Sequence, residues 1–286
     1  MLDVILCAYN AEDTIRQCVD SILDQSFSDF NLFVFDDYSL DNTLSVLKEY
    51  NDKRITVVHS CENVGTYSGK NFILKNFCHS DFVALHDSDD FSNINRFEQQ
   101  IEFLNSYEDI VCLGSAIREF WQDDDVKPHT VSADSVTGNI VRERTNHYPV
   151  RINKSYLNEI LDTIRDSDDD VIGSFLKVKL CMNGSVMFRR NVLSKLGGWD
   201  GRTRIGADTD LFLRILVDHN IGNISNVLYN RKFHKYSLVL SEKYGVNSKV
   251  RKEYALNLIQ SIQKSIVDGA KIQDFYYPEK DIYKVI

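Results

Sequence analysis

Residues 3–37, DVILCAYNAEDTIRQCVDSILDQSFSDFNLFVFDD, contain a strand pattern, a helix pattern and a second strand pattern in direct succession. The run DVILCAY is short and apolar, and FNLFVFDD has the same character. Between them, Ile15, Val19, Ile22 and Leu23 recur at the spacing of one helix face. We therefore predict a β-α-β unit at the start of the chain.

The same alternation continues along the first hundred residues. A helix, a strand, a second helix, a further strand and a third helix are predicted at 40–50, 54–60, 67–78, 82–90 and 95–106. This order predicts a parallel sheet with helices on both faces, which is a doubly wound α/β fold. Such sheets bind ligands at the carboxyl ends of their strands, where this chain has polar residues: Tyr9, Asn10, Asp36, Asp37, Asp87, Asp89 and Asp90.

Composition limits the partners that the chain can have. Its 286 residues suffice for one large domain or two small ones, and a net charge of −9 argues against nucleic acid as a partner. No apolar run is long enough to span a membrane, and the first residues lack the features of a signal peptide. Six cysteines without a C-x-x-C pair favour reduced, buried thiols. We expect a cytoplasmic protein with no transmembrane segment.

The stretch FVALHDSDDF at 82–91 ends an apolar strand in three carboxylates, Asp87, Asp89 and Asp90. Closely spaced carboxylates are hard oxygen ligands for Mg²⁺ or Mn²⁺. Alternation along an extended chain would turn Asp87 and Asp89 toward one cation, and Asp90 would reach it only after a turn. The alternative interpretation is that Asp90 or Ser92 caps the next helix. Capping explains one acid but not three, so we favour a metal site.

Short motifs occur in a fixed order along the chain. They are AYN at 8–10, SILDQSF at 21–27, DDYSLDNT at 36–43, NVGTYSGKN at 63–71, HDSDD at 86–90, NGSVMFRRNVLSKLGGWD at 183–200, RIGADTDLFLR at 204–214 and RKFHKYSL at 231–238. Together they resemble a family 2 glycosyltransferase of the GT-A fold, over residues 1 to about 105 and 180–240. The resemblance implies a mostly parallel central sheet flanked by helices, with helices at the C-terminus.

The resemblance also implies how the chain holds a nucleotide sugar, with a UDP-sugar as the expected donor. The turn after the first strand, Ala8, Tyr9 and Asn10, and the second acid of the DD pair, Asp37, would hold the nucleobase. A carboxylate can accept an imide N–H, and a tyrosine ring offers a stacking face. The alternative for Tyr9 is an ordinary core aromatic.

We call residues 87–90, DSDD, the acid packet. The resemblance places Asp87 near the ribose, beside Ser88. It places Asp89, alone or with Asp90, against a divalent cation, Mn²⁺ or Mg²⁺, that bridges the two phosphates. Strand alternation would give the metal to Asp87 as well. The sequence leaves these two assignments open.

Three further positions follow from the resemblance. Lys70 stands where the family often has arginine, and it would contact a phosphate; the alternative is a solvated helix lysine. In RKFHKYSL, Arg231 would be a diphosphate partner on a mobile loop, and His234 would be a third metal ligand or a diphosphate contact. That loop is predicted to close over the donor when donor and metal are present; the alternative is a static surface loop with a solvated histidine.

Asp208 is the predicted catalytic base. The family pattern G-E-D-x-x-L-x-x-R appears here with Ala207 in place of the glutamate, while Asp208 keeps the base position. The alternative is that Asp208 is an N-cap, since it stands where a helix is predicted to begin. Asp210 is interpreted as a first-turn helix acid or an acceptor contact.

We predict a single glycosyltransferase domain at 1–240, with a nucleotide-sugar half at 1–110 and an acceptor half at 111–240, followed by a helical extension at 241–286. The acidic run at 166–170 is interpreted as solvated. The predicted activity is inverting, metal-dependent transfer of a sugar to a glycan or glycolipid acceptor, in bacterial surface polysaccharide synthesis. Peripheral membrane contact is left open. The alternatives are a non-catalytic nucleotide-sugar binder and a metal-dependent nucleotidyltransferase.

Overall fold

The structure, a computed structural model, describes residues 1–121, 141–144, 150–165, 180–233, 237–238, 241–245, 248–268 and 283–285. The described strands are β1 Leu2–Ala8, β2 Phe30–Asp36, β3 Ile55–Ser60, β4 Phe82–Asp87, β5 Phe91–Ser92, β6 Ile110–Trp121, β7 Val141–Arg144, β8 Arg151–Ile152, β9 Met187–Arg189, β10 Asn220–Phe233 and β11 Tyr283–Val285. The described helices are α1 Ile15–Leu23, α2 Thr43–Leu47, α3 Thr66–Asn76, α4 Arg96–Ser106, α5 Lys154–Arg165, α6 Arg190–Lys195, α7 Ala207–Asp218 and α8 Lys249–Asp268.

One mixed sheet joins these strands in the order β11-β3-β2-β1-β4-β9-β6-β10-β5, with β7 beside β6 and β8 beside β10. Strands β3, β2, β1 and β4 are parallel. The chain leaves β1 toward β2 and β3 on one side and returns to β4 on the other. The strand order therefore reverses between β1 and β4, which is where open α/β sheets bind ligands.

Helices cover both faces of the sheet, and the alternation along β1 shows how. Val4 and Leu6 belong to a cluster that includes residues of α1 and α4, whereas Ile5 belongs to a cluster that includes residues of α3 and α7. On α1, Ile15 and Val19 are fully buried, as their helical spacing predicts. Because β1 is buried on both faces, its sequence is a nearly continuous apolar run.

The predicted α/β class and the helix-flanked central sheet are confirmed. The second half adds strands, among them β6 and β9, that the sequence pattern did not predict. The short β9 lies between β4 and β6 and is antiparallel to both, while β6 and β10 are parallel to each other. These additions make the sheet mixed, with its parallel part concentrated in the first half.

The end of the chain returns to this sheet. Helix α8 buries Ala255, Leu258 and Ile259 in a core cluster that also contains α7 residues. Beyond it, β11 pairs antiparallel with β3, so the predicted helical extension includes an edge strand of the sheet. No helix in the described ranges is long and apolar enough to cross a membrane. Among the cysteines, Cys61 is exposed, contrary to the expectation of buried thiols.

Candidate active site

Two loops meet beyond the carboxyl ends of β1 and β2. The Asn10 N–H donates to Ser39 Oγ at 3.0 Å, and Asn10 Oδ1 accepts the N–H of Leu40 at 2.8 Å. Asn10 and Tyr38 have φ of +48° and +65°, a region uncommon for residues other than glycine. The neighbouring Tyr9 is 48% exposed, which excludes its assignment as a core aromatic. Its ring is therefore accessible to a ligand.

Asp37 follows β2 directly and holds the loop that precedes α3. Its backbone N–H donates to the Ala8 carbonyl at 2.8 Å. Its Oδ1 accepts the N–H of Val64 at 2.7 Å, and its Oδ2 accepts the N–H of Gly65 at 2.8 Å. Burial raises the pKa of Asp37 to about 6, although the two backbone hydrogen bonds and the charge of Arg204 lower it. Because carboxylate oxygens have several lone pairs, Asp37 can accept a further hydrogen bond from a ligand.

The acid packet lies in a turn at the end of β4. The strand ends at Asp87, and the Asp90 N–H donates to the Asp87 carbonyl at 3.2 Å. Extended alternation therefore stops at Asp87 and, contrary to the prediction, does not align Asp87 with Asp89. Ser88 and Asp89 form the body of the turn and are half-buried. The turn, rather than the strand, determines how these carboxylates are arranged.

The acids do not cap the following helix. Helix α4 begins at Arg96, and Asn95 precedes it as the N-cap residue. Asp90 Oδ1 instead accepts the backbone N–H of Lys232 on β10 at 2.8 Å, and Ser92 Oγ accepts a hydrogen bond from Arg96 Nη1 at 3.0 Å. The capping alternative is therefore wrong for both Asp90 and Ser92.

Negative charge is concentrated in the packet. Burial raises the pKa of Asp87 and of Asp90, and the charge of Asp89 raises both further. Lys70 and Arg231 oppose this rise at Asp87. Lys70 Nζ lies 3.7 Å from Asp87 Oδ1 in a side chain that is only 1% exposed, so Lys70 is not a solvated helix lysine. The carboxylates of the packet would also stabilise a further cation at this place.

A buried layer fixes the end of β4. His86 Nδ1 lies 2.9 Å from the Asp87 carbonyl oxygen, and burial lowers the pKa of His86 to about 3. His86 is therefore a neutral packing residue. Tyr229 Oη accepts the Asp87 N–H at 3.1 Å. A Cβ on Gly184 would lie 2.2 Å from Tyr229 Oη and 2.7 Å from Asp87 Oδ2, so only glycine fits there without displacement.

Asp208 lies in the first turn of α7. The helix begins at Ala207 after Gly206, whose φ of +79° suits glycine, so the alternative that Asp208 is the N-cap is wrong. Tyr67 Oη, on α3, donates to Asp208 Oδ1 at 3.2 Å. The charge of Asp208 also raises the pKa of Asp87, less than burial does. The predicted base and the acid packet are thus close enough to interact.

Asp210 is engaged within the fold. Its Oδ2 accepts hydrogen bonds from Arg214 Nη2 at 2.7 Å and Nε at 3.0 Å, and both residues are buried. Arg214 also donates to the carbonyls of Leu196 and Gly198, each at 2.7 Å. Of the two interpretations of Asp210, the structure favours the first-turn helix acid, which here holds Arg214 while Arg214 anchors the loop after α6.

Arg231 lies inside β10, so the prediction that a mobile loop carries it is wrong. The reason is that β10 continues to Phe233 in parallel pairing with β6, where Arg231 is opposite Glu119. Arg231 Nη1 lies 3.9 Å from Glu119 Oε1. Its charge lowers the pKa of Asp87, so it belongs to the same electrostatic environment. The predicted metal ligand His234 lies outside the described residues, as does the acidic run at 166–170.

The structure therefore brings the described site candidates together around the end of the sheet, on β1, β2, β4, α3, α7 and β10. The residues that the structure describes contain no group of three or more His, Cys, Asp or Glu side chains arranged to hold a metal ion. The acids of the packet, Asp87, Asp89 and Asp90, do not form a complete metal cage by themselves.

Comparison with known proteins identifies the family. The sequence profile described as "Glycosyl transferase family 2" matches residues 3–197, which is more than half of the chain. The chain belongs to glycosyl transferase family 2. Its match to this family includes the first four parallel strands, the acid packet and the segment that contains Gly184.

Curated relatives match part of this chain. The putative teichuronic acid biosynthesis glycosyltransferase TuaG of Bacillus subtilis is 38% identical over 106 residues, 36% of this chain and 42% of that protein. The Escherichia coli UDP-Glc:alpha-D-GlcNAc-diphosphoundecaprenol beta-1,3-glucosyltransferase WfgD is 35% identical over 104 residues, 36% of this chain and 41% of that protein. The matches thus span about two fifths of each relative's length.

Two solved structures share the fold. Staphylococcus aureus TarS in complex with UDP-GlcNAc aligns with a TM-score of 0.65 and 17% identity, over 96% of this chain and 68% of that one. The mannosyltransferase PcManGT of Pyrobaculum calidifontis, in complex with GDP-Man and Mn²⁺, aligns with a TM-score of 0.54 and 13% identity, over 95% of this chain and 76% of that one. At these identities the likeness establishes the GT-A fold.

Three contacts in this candidate site were not predicted from the sequence. They are Tyr67 with Asp208, Tyr229 with Asp87, and Arg204 with the loop that Asp37 holds. Tyr67 and Arg204 lie within recognised motifs, NVGTYSGKN and RIGADTDLFLR, but their partners are 141 residues away. For Tyr67 and Arg204, motif membership was the only signal in the sequence that could have indicated a role in the site.

Proposed function

We propose that this chain is an inverting, metal-dependent glycosyltransferase that transfers a sugar from a UDP-sugar to a hydroxyl group of a glycan or glycolipid. The observation that carries this proposal is the arrangement at the sheet edge. Asp208, held by Tyr67 of α3, faces the acid packet closely enough for its charge to raise the pKa of Asp87. A base on one side of a diphosphate-binding packet is what a glycosyl transfer requires.

The donor assignment rests on the two loops that meet beyond the ends of β1 and β2. Tyr9 presents an exposed ring, and Asp37 is a buried acceptor that suits an imide N–H. Support comes from the relatives, because WfgD is named for UDP-Glc and TarS has been solved with UDP-GlcNAc. We assign the nucleobase to Ala8, Tyr9, Asn10 and Asp37, the ribose side to Asp87 and Ser88, and the phosphates to Lys70 and Arg231.

The donor set of the packet fits a divalent cation. Carboxylate oxygens are the ligands that Mg²⁺ and Mn²⁺ prefer, and such ions commonly use one or two carboxylates together with substrate phosphates and water. A complete protein cage is therefore not needed. We propose that Asp89 holds the ion, with Asp87 or Asp90 as its neighbour. The Mn²⁺ complex of PcManGT supports this choice. When bound, the ion would neutralise negative charge on the leaving diphosphate.

The chemistry of the protein residues centres on Asp208. The acceptor oxygen forms a bond to the anomeric carbon, the bond from that carbon to the diphosphate oxygen breaks, and the acceptor proton passes to the Asp208 carboxylate. Attack from the side opposite the leaving group inverts the configuration. Tyr67 donates to Asp208 Oδ1, so we assign the proton to Oδ2. Lys70 and Arg231 provide positive charge near the diphosphate.

The acceptor is assigned by analogy with relatives. WfgD is named for a diphosphoundecaprenol-linked acceptor and TuaG for teichuronic acid biosynthesis, which supports a bacterial surface polysaccharide or its lipid-linked precursor. A lipid-linked acceptor would require the chain to work at a membrane surface, and a cytoplasmic location stays part of this proposal.

A donor panel tests the proposed function. The protein is incubated with Mn²⁺ and, separately, with UDP-glucose, UDP-GlcNAc, UDP-galactose, GDP-mannose and a CDP-sugar, and release of the nucleoside diphosphate is measured. We expect slow hydrolysis of one UDP-sugar, which EDTA abolishes. Hydrolysis that is equal for all donors, or absent for all of them, would refute the donor assignment.

A further inference from the structure

Arg204 lies beside the buried carboxylate of Asp37. Its Nη1 is 4.0 Å from Asp37 Oδ2, and its side chain is 39% exposed whereas that of Asp37 is 5% exposed. Arg204 is on the segment that leads into α7, whereas Asp37 follows β2. The fold thus places a guanidinium at the solvent side of the acid that the nucleobase is proposed to contact.

The guanidinium is anchored rather than free to swing. Arg204 Nη1 donates to Asn63 Oδ1 at 2.5 Å, and Nη2 donates to the Asn63 carbonyl at 2.8 Å. Asn63 Nδ2 in turn donates to the Asp37 carbonyl at 3.0 Å. Gly65 leaves the necessary space, because its φ is +93° and a Cβ there would lie 2.7 Å from Arg204 Nη1. One loop therefore holds both members of the pair.

Each member keeps hydrogen-bonding capacity for a ligand. A guanidinium has five N–H donors, and Asn63 takes two of them among the described residues. The Asp37 oxygens each accept one backbone N–H and have further lone pairs. Burial has the larger effect and raises the pKa of Asp37, whereas the positive charge of Arg204 lowers it. The charge of Arg204 thus favours the ionised carboxylate, which is the form that accepts hydrogen bonds. The result is an acceptor and a donor side by side.

We infer that Arg204 and Asp37 together select the nucleobase of the donor, with Asp37 accepting the imide N–H and Arg204 donating to the carbonyl oxygen next to it. This inference rests on the proposed function and specifies its donor site. Uracil and guanine both present a ring N–H beside a carbonyl. Cytosine and adenine present an unprotonated ring nitrogen beside an amino group, which reverses both hydrogen bonds.

The reversed pattern is unfavourable for two reasons. The lone pair of the cytosine ring nitrogen would face the Asp37 carboxylate, and its amino group would face the Arg204 guanidinium. A matched pair of hydrogen bonds to a base edge discriminates against the wrong base by about tenfold to a hundredfold. The TarS and PcManGT complexes contain a uracil and a guanine nucleotide, which are the two bases that such a pair accepts.

The test compares UDP, GDP and CDP binding by calorimetry, with Mn²⁺ present, for the wild type and for Arg204→Met. We expect the wild type to prefer UDP or GDP over CDP by about tenfold or more. We expect Arg204→Met to lose most of this preference, mainly through weaker binding of the favoured nucleotide. Arg204→Lys should recover part of it, because lysine keeps the charge but not the planar fork.

Arg202→Met is the matched control. Arg202 is two residues away and pairs with Asp200, with Nε 2.8 Å from Oδ1, so its loss removes a comparable surface ion pair without touching Asp37. We expect it to keep the base preference. An unchanged UDP-to-CDP ratio in Arg204→Met, or an equal loss for both nucleotides, would overturn the inference alone. Failure of the wild type to bind any of the three nucleotides would overturn the proposed function as well.

Discussion

The ionisation of Asp37 gives a prediction that needs no knowledge of the acceptor. Its pKa is raised from 3.8 to about 6, mainly because the carboxyl group is buried. The charge of Asp36 also raises the pKa, whereas two backbone hydrogen bonds and the charge of Arg204 lower it. A tenfold change in proton affinity is worth about 1.4 kcal/mol, so this difference corresponds to about 3 kcal/mol. The folded protein therefore binds a proton at Asp37 more tightly than the unfolded chain does.

The sign of the effect on stability follows from this difference. Between pH 3.8 and about 6 the unfolded chain has lost the Asp37 proton and the folded protein retains it. The contribution of Asp37 to the free energy of unfolding is thus greatest below pH 3.8 and is lost as the pH rises through about 6. Asp37→Asn removes this titration. The stability of the wild type minus that of the variant should fall by about 2 kcal/mol from pH 4 to pH 7, which is most of the full effect.

Urea unfolding at several pH values measures this difference, with the fluorescence of the fully buried Trp199 as a suitable probe. Other titrating groups contribute to both proteins and cancel in the difference. UDP binding should show the opposite trend, because the ligand requires the ionised carboxylate: at pH 5 its affinity should be about tenfold lower than at pH 7.5. Parallel stability curves for the two proteins between pH 4 and pH 7 would refute this account of Asp37.

Three other substitutions give distinct results. Asp89→Ala should remove most of the dependence of UDP affinity on Mn²⁺, and calorimetry giving equal wild-type affinities with and without EDTA would contradict the metal assignment. Gly184→Ala should cost about 1–3 kcal/mol in urea unfolding, because its Cβ would approach Tyr229 Oη within 2.2 Å; unchanged stability would show that the site accommodates the methyl group. Arg214→Met leaves the buried Asp210 without its partner and should destabilise the fold by about 3–5 kcal/mol, whereas a loss below about 1 kcal/mol would refute a structural role for the pair.

The first half of the fold could be predicted from the sequence because its information is local. Buried parallel strands give short apolar runs, and α1 shows its buried face at Ile15 and Val19 directly in the spacing. The positions of Asp37 and Asp87 at strand ends followed from the same pattern. The short β9 could not be predicted, since three residues carry no periodicity.

The arrangement within the site depended on contacts between distant parts of the chain. The resemblance placed Arg231 on a loop after a strand pattern that ends at residue 230, whereas the pairing of β10 with β6 extends the strand to Phe233. Lys70 has the sequence context of a surface helix residue, yet the fold buries it beside Asp87. The contact of Tyr67 with Asp208 joins two helices 141 residues apart, which no local pattern can indicate.

The measurement that tests the central claim most directly compares donor binding and turnover in Asp208→Asn. Donor affinity is measured by calorimetry with Mn²⁺ and the UDP-sugar selected in the donor panel, and turnover is measured as sugar transfer to a lipid-linked acceptor. Asp218→Asn, at the exposed end of the same helix, is the matched control. A catalytic base predicts donor affinity within a few fold of the wild type and a loss of transfer of roughly a hundredfold or more. Equal losses of binding and transfer, or full transfer by the variant, would contradict the assignment of Asp208 as the base.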